Sequence, residues 1–127
     1  MVEGPPRKRH IVGLILSNEQ VAENLHLLWM DAPGVAEGAR VGQFAMVRCS
    51  GGPDGWDPLL RRPMSFCRFG RDLAPPTAGV PPSAVSFLYN VVGRGTAWLA
   101  QRGRGDLLDI VGPLGNGFAV PSQARRL

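Results

Sequence analysis

The chain has 127 residues, 44% hydrophobic and 19% charged, which places it among single globular domains and excludes disordered and fibrous chains. No apolar run approaches the roughly 20 residues of a spanning helix, and the charged start MVEGPPRKRH lacks an apolar signal core. A soluble, cytoplasmic protein with no membrane partner is therefore expected. The net charge of +4 is terminal: setting aside Arg7, Lys8, Arg9, Arg125 and Arg126, nine basic residues remain against nine acidic ones between positions 10 and 124. That leaves no clustered basic face for a nucleic-acid partner.

The 17 glycines and 12 prolines fall where turns are wanted, which favours a β-rich chain with tight corners. Residues 10–31, HIVGLILSNEQVAENLHLLWMD, read as a hairpin of two apolar stretches around the polar SNEQ. A helix over 20–30 is the rival, but Val21, Leu25, Leu27 and Trp29 fit a period of two better. DAPGVAEGARVG is a loop and turn, QFAMVRCS a third strand, GGPDGWDPLL irregular, and RRPMSFCRF an alternating fourth strand.

RDLAPPTAGVPPS holds four prolines and cannot belong to a sheet interior. It is long for a hairpin loop, so it is either a mobile surface excursion or functional. AVSFLYNVVG is the strongest strand, and GTAWLAQR follows as a short helix with Thr96 as N-cap and Gly103 as stop. DLLDIVG is the last strand, and PLGNGF turns through Asn116-Gly117. Six strands and one short helix fit a small antiparallel β-barrel, whose closure removes exposed edges. Cys49 and Cys67 read as buried small apolar residues, and neither they nor His10 and His26 show metal-ligand spacing. No metal is expected.

Two segments carry candidate chemistry. In VVGRGTAWL a strand ends, two glycines bracket Arg94 and a helix begins, so backbone N–H groups and the Thr96 hydroxyl are available to a phosphate. The alternative is a strand-to-helix turn that simply needs glycine dihedrals. The segment is neither a dinucleotide fingerprint nor a P-loop, because Trp98 replaces the third glycine and no Gly-Lys-Ser/Thr follows. In RRPMS, Arg61 and Arg62 can grip a diphosphate with their guanidinium forks, or can be a pair of solvated arginines at a strand start. Catalytic acid, base and nucleophile sets are missing; Asp106 and Asp109 read as turn and surface-strand residues. Phosphate-binding features without such a set point to cofactor binding, the cofactor supplying the chemistry.

Together, LLRRPMSF, LYNVVGRGT and GPLGNGF, in this order and spacing, resemble the electron transfer subunit of two-component dihydroorotate dehydrogenase, in the ferredoxin–NADP reductase superfamily. GARVGQFAMVR is similar to the family's strand preceded by a Gly-Gln-Phe turn, and the resemblance runs from about Ile11 to Phe118. It implies an all-β, six-stranded antiparallel Greek-key barrel that binds FAD, one domain over 1–127 with its barrel core at 8–119. By resemblance Arg62 pairs with the diphosphate, Pro63 shares its motif, Met64 packs near the isoalloxazine ring and Ser65 bonds its polar edge. Leu88, Tyr89 and Asn90 line the second flavin-binding strand, and Gly95 and Thr96 hold the diphosphate. Met64 stands where many members carry an aromatic, and Asn90 where a basic residue is common.

Full-length members continue into a nicotinamide-binding domain and a cysteine-rich [2Fe–2S] segment. This chain stops at PSQARRL, so the NAD and cluster domains are expected to be absent from it, and the chain alone is not expected to oxidise NADH. The resemblance implies an oxidoreductase component of pyrimidine biosynthesis, carrying electrons from NADH to a dihydroorotate dehydrogenase catalytic subunit. Alternatives are the same module in a sulfide dehydrogenase or glutamate-synthase-like reductase, and a small RNA- or protein-binding β-barrel. The last predicts stacking aromatics on one strand face, whereas Phe66, Phe69, Phe87 and Tyr89 are spread over two strands.

Overall fold

The computed structural model describes residues 8–49 and 61–116. Six strands form in chain order: β1 (Arg9–Ala22), β2 (Leu25–Asp31), β3 (Phe44–Val47), β4 (Arg62–Phe69), β5 (Ala84–Asn90) and β6 (Leu107–Leu114). Among the described residues the single α-helix, α1 (Arg94–Ala100), lies between β5 and β6, and a short 3-10 turn, Gly70–Asp72, follows β4. The strands close into the antiparallel six-stranded barrel that the sequence predicts, in the order β1-β2-β5-β4-β3-β6. β3, β4 and β5 are consecutive neighbours and β6 returns beside β3, which is a Greek key. Among the described residues no helix is long and apolar enough to cross a membrane.

Alternation fills the interior. Ile15, Leu28, Met30, Ala45, Val47, Met64, Phe66, Phe87, Tyr89, Leu108 and Ile110 are buried together. Between β2 and β3 a run of turns drops Ala32, Val35, Ala36 and Ala39 into the same core. The Arg71 guanidinium donates to the carbonyls of Ala36 and Ala39 and lies 4.3 Å from the Phe69 ring centre, tying that run to the end of β4. Two glycines are required by close approach. A β-carbon on Gly13 would stand 2.1 Å from the Asp31 carbonyl oxygen, and one on Gly70 1.9 Å from that of Pro81.

The proline-rich stretch is a surface excursion with a packing role. Its Thr77–Val80 turn roofs a cleft of about 370 Å³ floored by Leu16, Leu27 and Trp29, which explains why the outward-facing Trp29 is only 9% exposed. The excursion is pinned where it ends: Ser83 Oγ donates to Asp31 Oδ1 at 2.5 Å, and the Ala32 N–H donates to the Ser83 carbonyl at 2.9 Å.

The structure corrects several local expectations. The first hairpin turns at Glu23-Asn24, not SNEQ; β1 runs on to Ala22, and Asn24 takes the left-handed conformation (φ 58°) that asparagine tolerates. Irregularities in the β1–β2 register, between Ile15 and Ser17 and between Gln20 and Ala22, let the polar stretch remain strand. The fifth strand ends at Asn90 and the sixth continues through Leu114. Cys49 is buried as expected, but Cys67 is exposed, because β4 turns it outward between Phe66 and Phe69. Ser50, the irregular 51–60 stretch and Gly117 lie outside the described residues.

Candidate functional site

The two segments singled out in the sequence meet in space. Arg62 opens β4, exposed, level with Val47 of β3. Gly93, just ahead of α1, is close enough that a β-carbon on it would lie 3.9 Å from Arg62 Nη2. The arginine of one motif thus stands over the glycine turn of the other.

The turn is shaped by Thr96, though not as its N-cap. Gly93 takes that position in extended backbone, and Thr96 sits three residues on. Its Oγ1 accepts the N–H groups of Val92 at 2.9 Å and Gly93 at 3.1 Å and lies 3.2 Å from the Gly93 carbonyl oxygen, to which it can donate. The hydroxyl is spent on closing the turn. What a helix start offers an incoming anion is its first-turn amides, here those of Gly95 and Thr96. Gly103 is not the stop either: α1 ends at Ala100, and the Gly103 N–H donates to Asp106 Oδ2 at 2.8 Å in the following turn.

The two arginines separate. Arg61 does not join the turn: its Nη1 donates to Asp109 Oδ1 at 2.7 Å and to the Asp109 carbonyl at 3.3 Å. His10 Nε2 lies 2.8 Å from the same Oδ1. Burial alone would push the Asp109 carboxyl up, but the hydrogen bonds and charges of Arg61 and His10 outweigh it and hold it below the usual carboxylate range.

The remaining candidates fall on two faces. Pro63 and Ser65 on β4 are exposed, as are Leu88 (46%) and Asn90 on β5. Met64 (7% exposed) and Tyr89 (5%) point inward. β4 and β5 are in register at Phe66↔Phe87 and Phe69↔Val85. Toward Arg62, residues 62–65 are registered only with β3 and residues 88–90 only with β2, among the described residues. The seam between β4 and β5 is therefore where exposed Pro63, Ser65, Leu88 and Asn90 can meet a ligand, with Arg62 and Gly93 at its end.

Three contributors carry no local sequence signal. Asn18 of β1 donates its amide to the Leu99 and Arg102 carbonyls at 2.8 and 2.9 Å, and its Oδ1 accepts the Tyr89 hydroxyl at 2.9 Å. It thereby holds the far end of α1 and the inner wall at once. His26 stacks on Tyr89, ring centres 5.6 Å apart. Burial pushes the Cys49 thiol up to about 11, while the Arg62 charge pulls the other way, which marks Cys49 as a buried neighbour of the site. Among the described residues no three His, Cys, Asp or Glu side chains gather as a metal set.

No protein-family model matches the chain. It is 39% identical over 107 residues to a dihydroorotate dehydrogenase B (NAD(+)) electron transfer subunit from Desulforamulus reducens, covering 84% of this chain and 36% of that protein. The Geobacillus kaustophilus protein of the same description is 36% identical over 116 residues, covering 89% and 40%. Among solved structures, the NADH-dependent reduced ferredoxin-NADP oxidoreductase, studied for flavin-based electron bifurcation, superposes with a TM-score of 0.65 at 29% identity. That match covers 84% of this chain and 34% of the other. The chain thus spans little more than a third of the curated relatives it matches.

Proposed function

Because the chain is homologous to the electron transfer subunits of dihydroorotate dehydrogenase B over 84–89% of its length, we propose that it is the FAD-binding module of such a subunit. On this reading residues 1–127 form one flavin-binding domain, which works with a nicotinamide electron donor and a dihydroorotate dehydrogenase catalytic partner. The observation that supports it most is the meeting of Arg62 with Gly93 at the start of α1. A guanidinium beside helix-start amides is a donor set suited to a diphosphate, so these residues fit FAD better than FMN.

The residues divide the work. Arg62 and the turn containing Gly95 and Thr96 hold the diphosphate, Thr96 by keeping the turn closed. Pro63, Ser65, Leu88 and Asn90 line the seam where the ring system lies, and Ser65 offers its hydroxyl to a polar edge. Met64 and Tyr89 form the apolar wall behind. Bound FAD supplies the exchange between a two-electron donor and one-electron acceptors; the chain's own groups bind, orient and shield it. The similarity to a bifurcating ferredoxin-NADP oxidoreductase favours one second reading, the same flavin module serving a different oxidoreductase.

Replacing Arg62 with Ala is expected to weaken FAD by about 1.5–3 kcal/mol, the scale of a charge-assisted hydrogen bond, and to leave riboflavin nearly unchanged. Fluorescence-quenching titrations of both flavins decide this. Equal losses for the two would remove the diphosphate role, and a purified protein that binds no flavin would remove the reading altogether.

A further inference from the structure

We propose that Asp109 of β6 is a positioning residue for the anion site, clasping Arg61 so that the next residue, Arg62, delivers its guanidinium to the Gly93 turn. The anion it serves is the flavin diphosphate, so the proposal rests on the reading above. Val47 of β3 is registered with Arg62 on one side and Ile110 of β6 on the other. Arg61 therefore reaches past β3 to make its two contacts with Asp109, one to the carboxylate and one to the main chain. The Asp109 carbonyl also accepts the Arg48 N–H at 2.9 Å, where β3 ends, and its carboxylate lies against His10 of β1. One residue of β6 is thus joined to β1, to the residue after β3 and to the residue before β4.

Two consequences bear on the site. Successive residues of an extended chain point to opposite sides, so a pinned Arg61 fixes the direction in which Arg62 leaves the backbone. The clasp also withdraws a competing cation: with its guanidinium held by a carboxylate, Arg61 does not share the anion with Arg62. The pair is sheltered enough to be specific, since the Arg61 and Asp109 side chains are 28% and 20% exposed. An ion pair that only fastened strands together would support riboflavin and FAD alike. A clasp acting through Arg62 supports only the flavin that carries a diphosphate.

The test is a double-mutant cycle on the full chain. Asp109→Asn should weaken FAD about tenfold and leave riboflavin within about twofold, whereas in an Arg62→Ala background it should change FAD by less than about twofold. Asp109→Glu, which keeps the charge, should recover most of the loss. A flavin-free measurement stands beside it: the Gly93 amide resonance, displaced by Arg62→Ala, should move the same way in Asp109→Asn. Losses equal for both flavins, losses that add to those of Arg62→Ala, or an unmoved Gly93 resonance would each overturn the clasp. If wild-type protein binds no flavin, the flavin reading fails, and the Gly93 resonance still decides whether Asp109 places Arg62.

Discussion

The two cysteines show how a single side chain's environment decides its chemistry. Both lie in alternating apolar sequence, yet Cys49 is buried and Cys67 is exposed. Burial raises the Cys49 thiol to about 11, with the Arg62 charge opposing, so thiolate is scarce there at neutral and mildly alkaline pH. Native protein treated with an aromatic disulfide reagent at pH 8 should therefore release one equivalent quickly, and a second only on unfolding. Cys67→Ser should abolish the fast equivalent while Cys49→Ala spares it. Fast release from both thiols would show that the core around Cys49 opens readily. Alternation alone could not tell the two apart, because between Phe66 and Phe69 the chain spends two residues, Cys67 and Arg68, on the outer side. Ser86 of β5 fills that irregularity, accepting the Arg68 N–H at 2.9 Å and donating to the Arg68 carbonyl at 3.2 Å.

At the scale of elements, the turn before α1 is held by one hydroxyl. Thr96 Oγ1 takes two backbone N–H groups that otherwise have no helical partner, so Thr96→Val should cost about 1–2 kcal/mol in denaturant unfolding and Thr96→Ser much less. Loss of FAD affinity should accompany the first change, because the turn would no longer sit under Arg62; equal stability of the Val and Ser variants would refute the closing role. The elements themselves were largely legible, since each strand carries apolar residues with turn-forming residues around it, and closure follows from the cost of open edges. Their ends were less so. The polar SNEQ stretch reads as a turn, but Asn18 has distant partners in Leu99, Arg102 and Tyr89 that keep it in a strand. Thr96 looks like an N-cap by residue type, yet Gly93 occupies that place, and the Thr96 hydroxyl reaches back from three residues on to the Val92 and Gly93 N–H groups. Both motifs of the site were visible as local patterns. That Arg62 faces the turn while Arg61 turns to Asp109 depends on residues some fifty positions away on β6, which no local window contains.

For the molecule as a whole, the closed barrel is a rigid support: each strand has a neighbour on both sides, and along the β4–β5 seam the pairing stops short of residues 62–65 and 88–90. In the proposed function the flavin's own diphosphate fills the anion site at Arg62 and the Gly93 turn. A nicotinamide dinucleotide would need a separate hold to bring its ring within about 3–3.5 Å of the flavin, positioning that accounts for roughly 7–11 kcal/mol of a barrier. The relatives are more than twice as long as the segment matched here, which leaves ample chain in them for that hold. A polypeptide of residues 1–127, loaded with FAD, should therefore accept electrons from dithionite or light but oxidise NADH no faster than free FAD does. Anaerobic bleaching of the flavin band, followed with each reductant against free FAD at equal concentration, measures the difference. Bleaching by NADH many-fold faster than free FAD would place a nicotinamide site within these 127 residues and overturn the assignment of the barrel to flavin binding alone.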